Sequence, residues 1–211
     1  MKKNLFNLTL AVLFAATVSH SATANTSNSP AEEFTKIPGI SRIGMIEARG
    51  NVDLYVMSGD SDLVEVTHNY YQDNALIQVE HGVLRITNYR QEKLKVWVTV
   101  ADLRNLSAYD QVSVQSLGKF SSIDLTLDLH GESYAKLDLD CFNADLRLNE
   151  KSKADLRGYA QQGSLLVNYA ATANTTDLLA ESFDRKRISP LQKASFRISV
   201  LAMVANKPAR Q

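Results

Sequence analysis

The chain has 211 residues, with 23 basic and 23 acidic side chains and a formal net charge of +0. That balance excludes the basic face that nucleic acid requires and strong electrostatic attraction to an anionic membrane surface. With a single cysteine, Cys141, no internal disulfide can form, so burial and hydrogen bonds must hold the fold.

The first stretch, "MKKNLFNLTLAVLFAATVSHSATA", places Lys2 and Lys3 before an apolar run from Leu5 to Val18. It ends in the small-residue step Ala22-Thr23-Ala24. This is the pattern of a secretory signal peptide, with cleavage predicted after Ala24. The run is too short for a spanning helix, and no later segment approaches the roughly 20 apolar residues that a transmembrane segment needs. The sequence therefore predicts an exported chain, periplasmic or at the cell surface. Residues 25–33 are polar and read as a disordered leader. A single domain is predicted over 34–205, with a short tail over 206–211.

From Phe34 onward the chain alternates apolar and polar residues with period 2, the signature of half-buried strands. Val52, Leu54 and Val56 share one face, followed by Val64 and Val66, Ile77 and Val79, and Leu84 and Ile86. Leu94, Val96, Val98 and Val100 follow, with Lys95, Trp97 and Thr99 opposite. Ile123, Leu125, Leu127 and Leu129 form another such face. Gly59-Asp60 and His81-Gly82 suit tight turns, which predicts hairpin-like strands capping the N-terminal end.

The second half repeats. Ser133, Ser152, Thr172 and Gln192 begin copies spaced by 19, 20 and 20 residues. "DQVSVQS" at Asp110 fits as an earlier copy after a gap of 23. Even positions after each anchor are mostly small or apolar and are predicted to point inward: Ala135, Ala154, Asn174 and Ala194, then Leu137, Leu156, Thr176 and Phe196. Outward positions alternate in sign: Asp138, Arg157, Asp177 and Arg197, with Lys136 followed by Asp155. If copies stack as parallel strands about 4.8 Å apart, these become neighbours of opposite charge, which stabilise a sheet. The reading is a β-solenoid carrying a structural charge ladder. It makes "TTDLLA", the nearest approach to a helical pattern, a strand.

At this point the residues resemble a known family. "FTKIPGISRIGMIEARGNVDLYVMSGDSDLVEV", "IQVEHGVLRI" and "LKVWVTVADLRNLSAYDQVSV" follow the order and spacing of the auto-transporter adhesin head GIN domain, with Asp102-Leu103-Arg104-Asn105-Leu106 as its leucine step. The resemblance covers Phe34 to Val200. It implies a right-handed parallel β-helix of pectin-lyase-like appearance, export, and a role in cell adhesion. It also implies a ligand-binding region in repeated Gly-Ser steps. Gly131-Glu132-Ser133 comes close to that step, while Glu150-Lys151-Ser152, Ala170-Ala171-Thr172 and Pro190-Leu191-Gln192 depart from it.

The chemistry points to binding rather than catalysis. Asp124 with Asp128, and Asp138 with Asp140, are same-face carboxylate pairs of the kind a β-helical carbohydrate-active enzyme needs. No base, calcium loop, G-x-S-x-G or phosphate loop accompanies them. His68, His81 and His130 lack metal-ligand spacing, so no metal, cofactor or catalytic residue is predicted. Cys141 falls on an inward position and reads as an inert buried thiol. Trp97 and Tyr55 are candidates for stacking on a sugar, with Gly131 and Ser133 as further candidate ligand residues. The alternative for Trp97 is packing beneath the capping segment. The predicted partner is a glycan or other envelope polymer, with a protein partner or self-association through edge strands as the alternative.

Overall fold

The computed structural model describes residues 34–40, 42–67 and 76–188. Readings on other residues lie outside the described residues: the signal peptide, the leader, His68, the copy at Gln192 with Arg197, and the tail.

The described chain is all-β, with no helix. Eight short strands come first: β1 (Phe34–Lys36), β2 (Met45–Gly50), β3 (Val52–Ser58), β4 (Leu63–Thr67), β5 (Leu76–Glu80), β6 (Val83–Asn88), β7 (Leu94–Val100) and β8 (Asn105–Ala108). Four long ones follow: β9 (Ser113–Leu129), β10 (Tyr134–Leu148), β11 (Lys153–Asn168) and β12 (Thr172–Ile188).

All twelve belong to one sheet that folds over at β9. The first part of β9 pairs with β3 (Asp53↔Ser113), and its last part pairs with β8 (Ala108↔Leu129). One limb of the sheet therefore runs β1-β4-β7-β3-β9, and the other runs β9-β8-β2-β6-β5. Strands β10, β11 and β12 extend both limbs in parallel. The apolar rows of both limbs meet in one core, from Leu54, Val96 and Val98 on one side to Ile46, Leu84 and Ile86 on the other. Each fully buried Leu or Ile contributes roughly 1.5–3 kcal/mol.

The long strands bend where their alternation slips. In β10 the buried residues are Ala135, Leu137, Leu139 and Cys141, then Ala144, Leu146 and Leu148. The two-residue rhythm breaks at Phe142-Asn143, leaving Phe142 exposed and turning the strand from one limb to the other. The equivalent slip in β9 turns Ile123 outward, to 70% exposure, while Leu125, Leu127 and Leu129 are buried. The predicted four-residue face therefore loses its first member, because alternation does not carry across a bend.

The repeat spacing appears as register. Lys136 pairs with Asp155, and Asp138 with Arg157, each 19 apart. Two offsets differ from the sequence reading. Ser113 of β9 pairs with Tyr134, 21 residues on, rather than at the predicted gap of 23, and Lys119 pairs with Asp138 at 19. A bulge at Ser116 to Gly118 absorbs the difference, and Ser116 Oγ accepts the Asp138 N–H at 2.8 Å. On β12, Thr172 pairs with Lys153, so Ala173 takes the inward place beside Ala154 and Asn174 is exposed. A register shift after Asp155 leaves Thr176 exposed and brings Asp177 opposite Arg157.

The first half differs from its prediction in one respect. His81-Gly82 does close an antiparallel hairpin between β5 and β6. Gly59-Asp60 does not make one, since β7 lies between β3 and β4, parallel to the first and antiparallel to the second. The antiparallel strands β1, β4 and β5 lie at the outer ends of the two limbs.

Candidate functional site

Where β7 ends and β2, β8 and the second part of β9 begin, the bends leave an open groove of about 940 Å³. Ile40, Ile43 and Met45 supply apolar surface, and Arg42, Asp60, His81, Asp102, Arg104 and Asp124 supply charge and polarity. A second groove of about 570 Å³ shares Ala101, Asp102, Arg104 and Asp124 and adds Ser121, Ser122, Ile123 and Asp140. The two form a continuous trough along the corner of the folded sheet.

Not every polar group there is available to a ligand. Asp62 is committed to the fold, accepting the Ile43 N–H at 2.7 Å and the Ala101 N–H at 2.9 Å with its two oxygens. Asp124 accepts from Asn143 Nδ2 at 2.6 Å. Arg104 holds Asp102 at 2.7 Å on the surface, and that hydrogen bond raises the guanidinium pKa. The pair can present a guanidinium fork and a carboxylate edge to hydroxyls or to a peptide. The side chains of Asp60, Asp140 and Arg42 make no hydrogen bond or ion pair with another described residue.

The predicted aromatic pair lies elsewhere, on the outer surface of the first limb. Tyr55 and Trp97 are register partners on β3 and β7, with rings stacked at 5.0 Å and 17°. Phe34 of β1 meets the indole edge-to-face at 4.7 Å and 84°. The rings thus serve one another across the strands, with Glu65 beside Trp97 and Gln115 beside Tyr55.

Gly131 and Ser133 lie in the turn between β9 and β10. The Gly131 N–H donates to the Glu150 carboxylate of the next turn. Ser133 is fully buried and, like Ser152 below it, has a buried hydroxyl without a hydrogen-bond partner in the described structure. Neither hydroxyl faces solvent.

Along the stack, Asp138, Arg157 and Asp177 are register neighbours, and Arg157 Nη2 reaches Asp138 Oδ2 at 3.0 Å. Lys136 stands opposite Asp155, but that carboxylate takes the Tyr134 hydroxyl at 2.6 Å. Asp128 is held by His130 at 3.1 Å and by Asn149 at 2.9 Å. Cys141 is buried, and desolvation pushes its thiol pKa up, away from a reactive thiolate.

The sequence did not single out a second outward stack, in which Arg49 lies 4.0 Å over the Tyr109 ring and Tyr109 lies 4.8 Å from His130. It also missed the trough. Its walls come from separate segments, so the sequence named several of its residues (Asp60, His81, Asp102, Arg104, Asp124 and Asp140) without bringing them together.

Among the described residues no cluster of His, Cys, Asp and Glu could hold a metal ion. Nor is any helix long and apolar enough to cross a membrane. The Ser164 hydroxyl, with Arg147, holds Asp145 below the usual carboxylate range, opposite in direction to a general acid.

The described chain is an all-β sheet that folds over at β9 and carries an open groove at its corner. The chain belongs to the family described as "Putative auto-transporter adhesin, head GIN domain", whose sequence model matches residues 44–186. Solved structures share the fold. A "putative adhesin" from Bacteroides fragilis superposes with a TM-score of 0.61 at 13% identity, over 75% of this chain and 78% of that one. A "putative lipid binding protein" from Parabacteroides distasonis gives 0.56 at 14% identity, over 74% and 78%. A "putative adhesin" from Parabacteroides merdae gives 0.53 at 15%, over 74% and 77%. No curated protein matches the sequence.

Proposed function

We propose that the chain is an exported, non-enzymatic, adhesin-like binding module that recognises an envelope or surface polymer such as a glycan. It does so from a right-handed parallel β-helical coil, the hand being taken from the family resemblance. The observation that carries the reading is the trough of about 940 Å³ that continues into a second of about 570 Å³. An open trough with apolar surface and the Arg104–Asp102 pair on its rim suits an extended chain better than a small enclosed substrate. The aromatic row of Tyr55, Trp97 and Phe34 reads better as packing under the capping strand β1 than as a sugar platform, since the rings already occupy one another. An enzymatic reading finds three of its four candidate carboxylates engaged, Asp138 with Arg157, Asp124 with Asn143, and Asp128 with His130 and Asn149, which leaves Asp140 without a second free acid to work with.

The test is retention of the exported chain on immobilised glycans and envelope polymers, with product release measured in the same wells. Saturable retention without cleavage is expected. Arg104→Glu and Ile123→Asp should each weaken it by at least ~tenfold, the scale of a central contact, while Trp97→Phe leaves it within ~twofold. Released product would overturn the non-enzymatic reading. Loss on Trp97→Phe alone would move the site to the aromatic row.

A further inference from the structure

Tyr55 and Trp97 occupy each other's ring faces, but a third aromatic, just after β6, does not share that fate. Tyr89 is 72% exposed, the most exposed large apolar side chain among the described residues. Its ring makes no ring pair and its hydroxyl no hydrogen bond with another described residue. The loop that carries it is nonetheless pinned. Asn88 is buried and spends its side chain there: Nδ2 donates to the Asn51 and Glu92 carbonyls at 2.8 Å each, and Oδ1 accepts the Arg90 N–H at 3.1 Å. Asn51 Nδ2 donates to the Arg90 and Gln91 carbonyls at 3.3 and 2.8 Å. The ring lies against Gly50, where an added Cβ would meet Tyr89 Cδ1 at 3.1 Å. Packing alone would hide such a ring. A pinned loop that presents one to solvent has already met much of the ordering cost of binding. Tyr89 opens onto a groove of about 500 Å³ lined by Gly50, Asn51, Arg90, Gln91, Asp110 and Gln111.

We propose that this groove is a saccharide subsite, in which a neutral sugar lays its C–H face on the Tyr89 ring while Gln91, Gln111 and Asp110 take its hydroxyls. The side-chain amides of Gln91 and Gln111 make no hydrogen bond with another described residue. Each amide both donates and accepts, as a hydroxyl does. Asp110 gives Oδ2 to the Gly50 N–H at 3.2 Å, which leaves Oδ1 to a hydroxyl donor. Arg90 and Asp110 cancel in formal charge, so the groove offers an acidic sugar no net attraction. Its volume is that of a small-ligand site. The subsite is separate from the trough. Strand β2 runs from Met45 at the trough to Gly50 at this groove, five steps (50 − 45 = 5) or about 17 Å. What the trough binds does not bear on it.

Magnetic resonance of the isotope-labelled full chain tests it, with cellohexaose, maltohexaose, mannohexaose and N-acetylchitohexaose as neutral probes and hexagalacturonate as the acidic one. At least one neutral probe should shift the Tyr89 ring signals and the Gln91 and Gln111 side-chain amides together, and saturably. Tyr89→Ala should weaken that binding ~fivefold to tenfold, the scale of one aromatic stack. Its thermal midpoint should stay within ~2 °C of the parent, because the ring is exposed. Tyr89→Phe keeps the ring and should stay within ~twofold. Gln111→Ala should cost ~threefold, the scale of one hydrogen bond. No shift at Tyr89 with any neutral probe would overturn the proposal. So would unchanged affinity in Tyr89→Ala, or tighter binding of hexagalacturonate at the same signals. Shifts confined to Ile43, Met45 and Ile123 would uphold the trough and overturn the subsite. Shifts at Tyr89 that leave those three unmoved would uphold the subsite and count against the trough.

Discussion

The two halves of this sheet reach the same parallel pairing by different routes. From β9 to β12, each strand pairs with the next one in sequence, and among the described residues β10 and β11 pair only with the strand before and the strand after. From β1 to β8 the order is interleaved. Strand β2 lies between β6 and β8, with Met45 opposite Val83 on one side and Asn105 on the other. Strand β3 lies between β7 and β9 in the same manner. The stacked half should behave as a nearest-neighbour array. The pairings of β2 and β3 close loops of 38 to 60 residues before they form (83 − 45 = 38; 105 − 45 = 60), which should make the interleaved half a single cooperative unit.

Two glycines allow that contrast to be broken deliberately. Gly50 joins β2 to β3 at φ 83, and an added Cβ would meet the Asn88 carbonyl carbon at 2.8 Å. Gly158 bends β11 at φ 101, and an added Cβ would lie 2.9 Å from the Leu139 nitrogen. Left-handed backbone plus a main-chain clash puts each alanine substitution at ~3 kcal/mol or more. The losses should have different reach. Gly50→Ala should lower exchange protection across β2, β3 and β6 to β9 together, whereas Gly158→Ala should lower it in β10 to β12 and leave β2 and β3 protected. Urea midpoints give the size and hydrogen exchange the extent. Equal spread in both variants would mean that the halves are one cooperative unit.

A smaller effect concerns the pin between the β3–β4 link and the corner. Asp62 satisfies the Ile43 and Ala101 N–H groups with separate oxygens. Asp62→Ala should cost ~1–3 kcal/mol by leaving both donors without a partner. Asp62→Asn should recover at most half of that, because an amide keeps one acceptor and turns a second donor toward an N–H. Recovery to the parent midpoint would show that one of the two bonds contributes nothing.

This contrast also explains what could be read from the sequence. Where spatial neighbours follow one another in the chain, the spacing between copies is the register, so Asp138 opposite Arg157 could be read directly. What spoils it is local irregularity: the bulge before Lys119 and the register shift after Asp155 move Val112 and Ala171, rather than Asp110 and Thr172, beside the serines of the neighbouring turns. In the first half no spacing encodes the partner. Tyr55 pairs with Trp97, 42 residues on, and nothing between Val52 and Val66 signals that β7 will insert between the two strands. The trough escaped for the same reason, since Ile43, Asp60, Asp102 and Asp124 meet only after four segments have folded. The all-β class was legible because alternation is local. The outward turn of Ile123 was not, because a bend resets the alternation without any change in residue type.

The mildest test lies within the stacked half, where the outward rows were expected to pair charges. Lys136 faces Asp155 across the strands, yet Asp155 takes the Tyr134 hydroxyl, and that bond, ahead of partial burial, pushes the phenol up to about 12 from an ordinary 10.0. A folded-state pKa raised above the unfolded value contributes stability that is fully present below pH 10 and is lost as pH rises from 10 through about 12. The pair is partly exposed, so screening holds its worth below ~1 kcal/mol. The phenol titration, followed by the tyrosine ring carbon signal assigned with Tyr134→Phe, should fall toward 10 in Asp155→Ala and move less in Asp155→Asn, which keeps an acceptor without the charge. The same substitutions should flatten the loss of stability above pH 10. If Tyr134 titrates near 10 in the parent chain, the carboxylate belongs to Lys136 after all, and the outer rows of the stacked half are held by charge alternation alone.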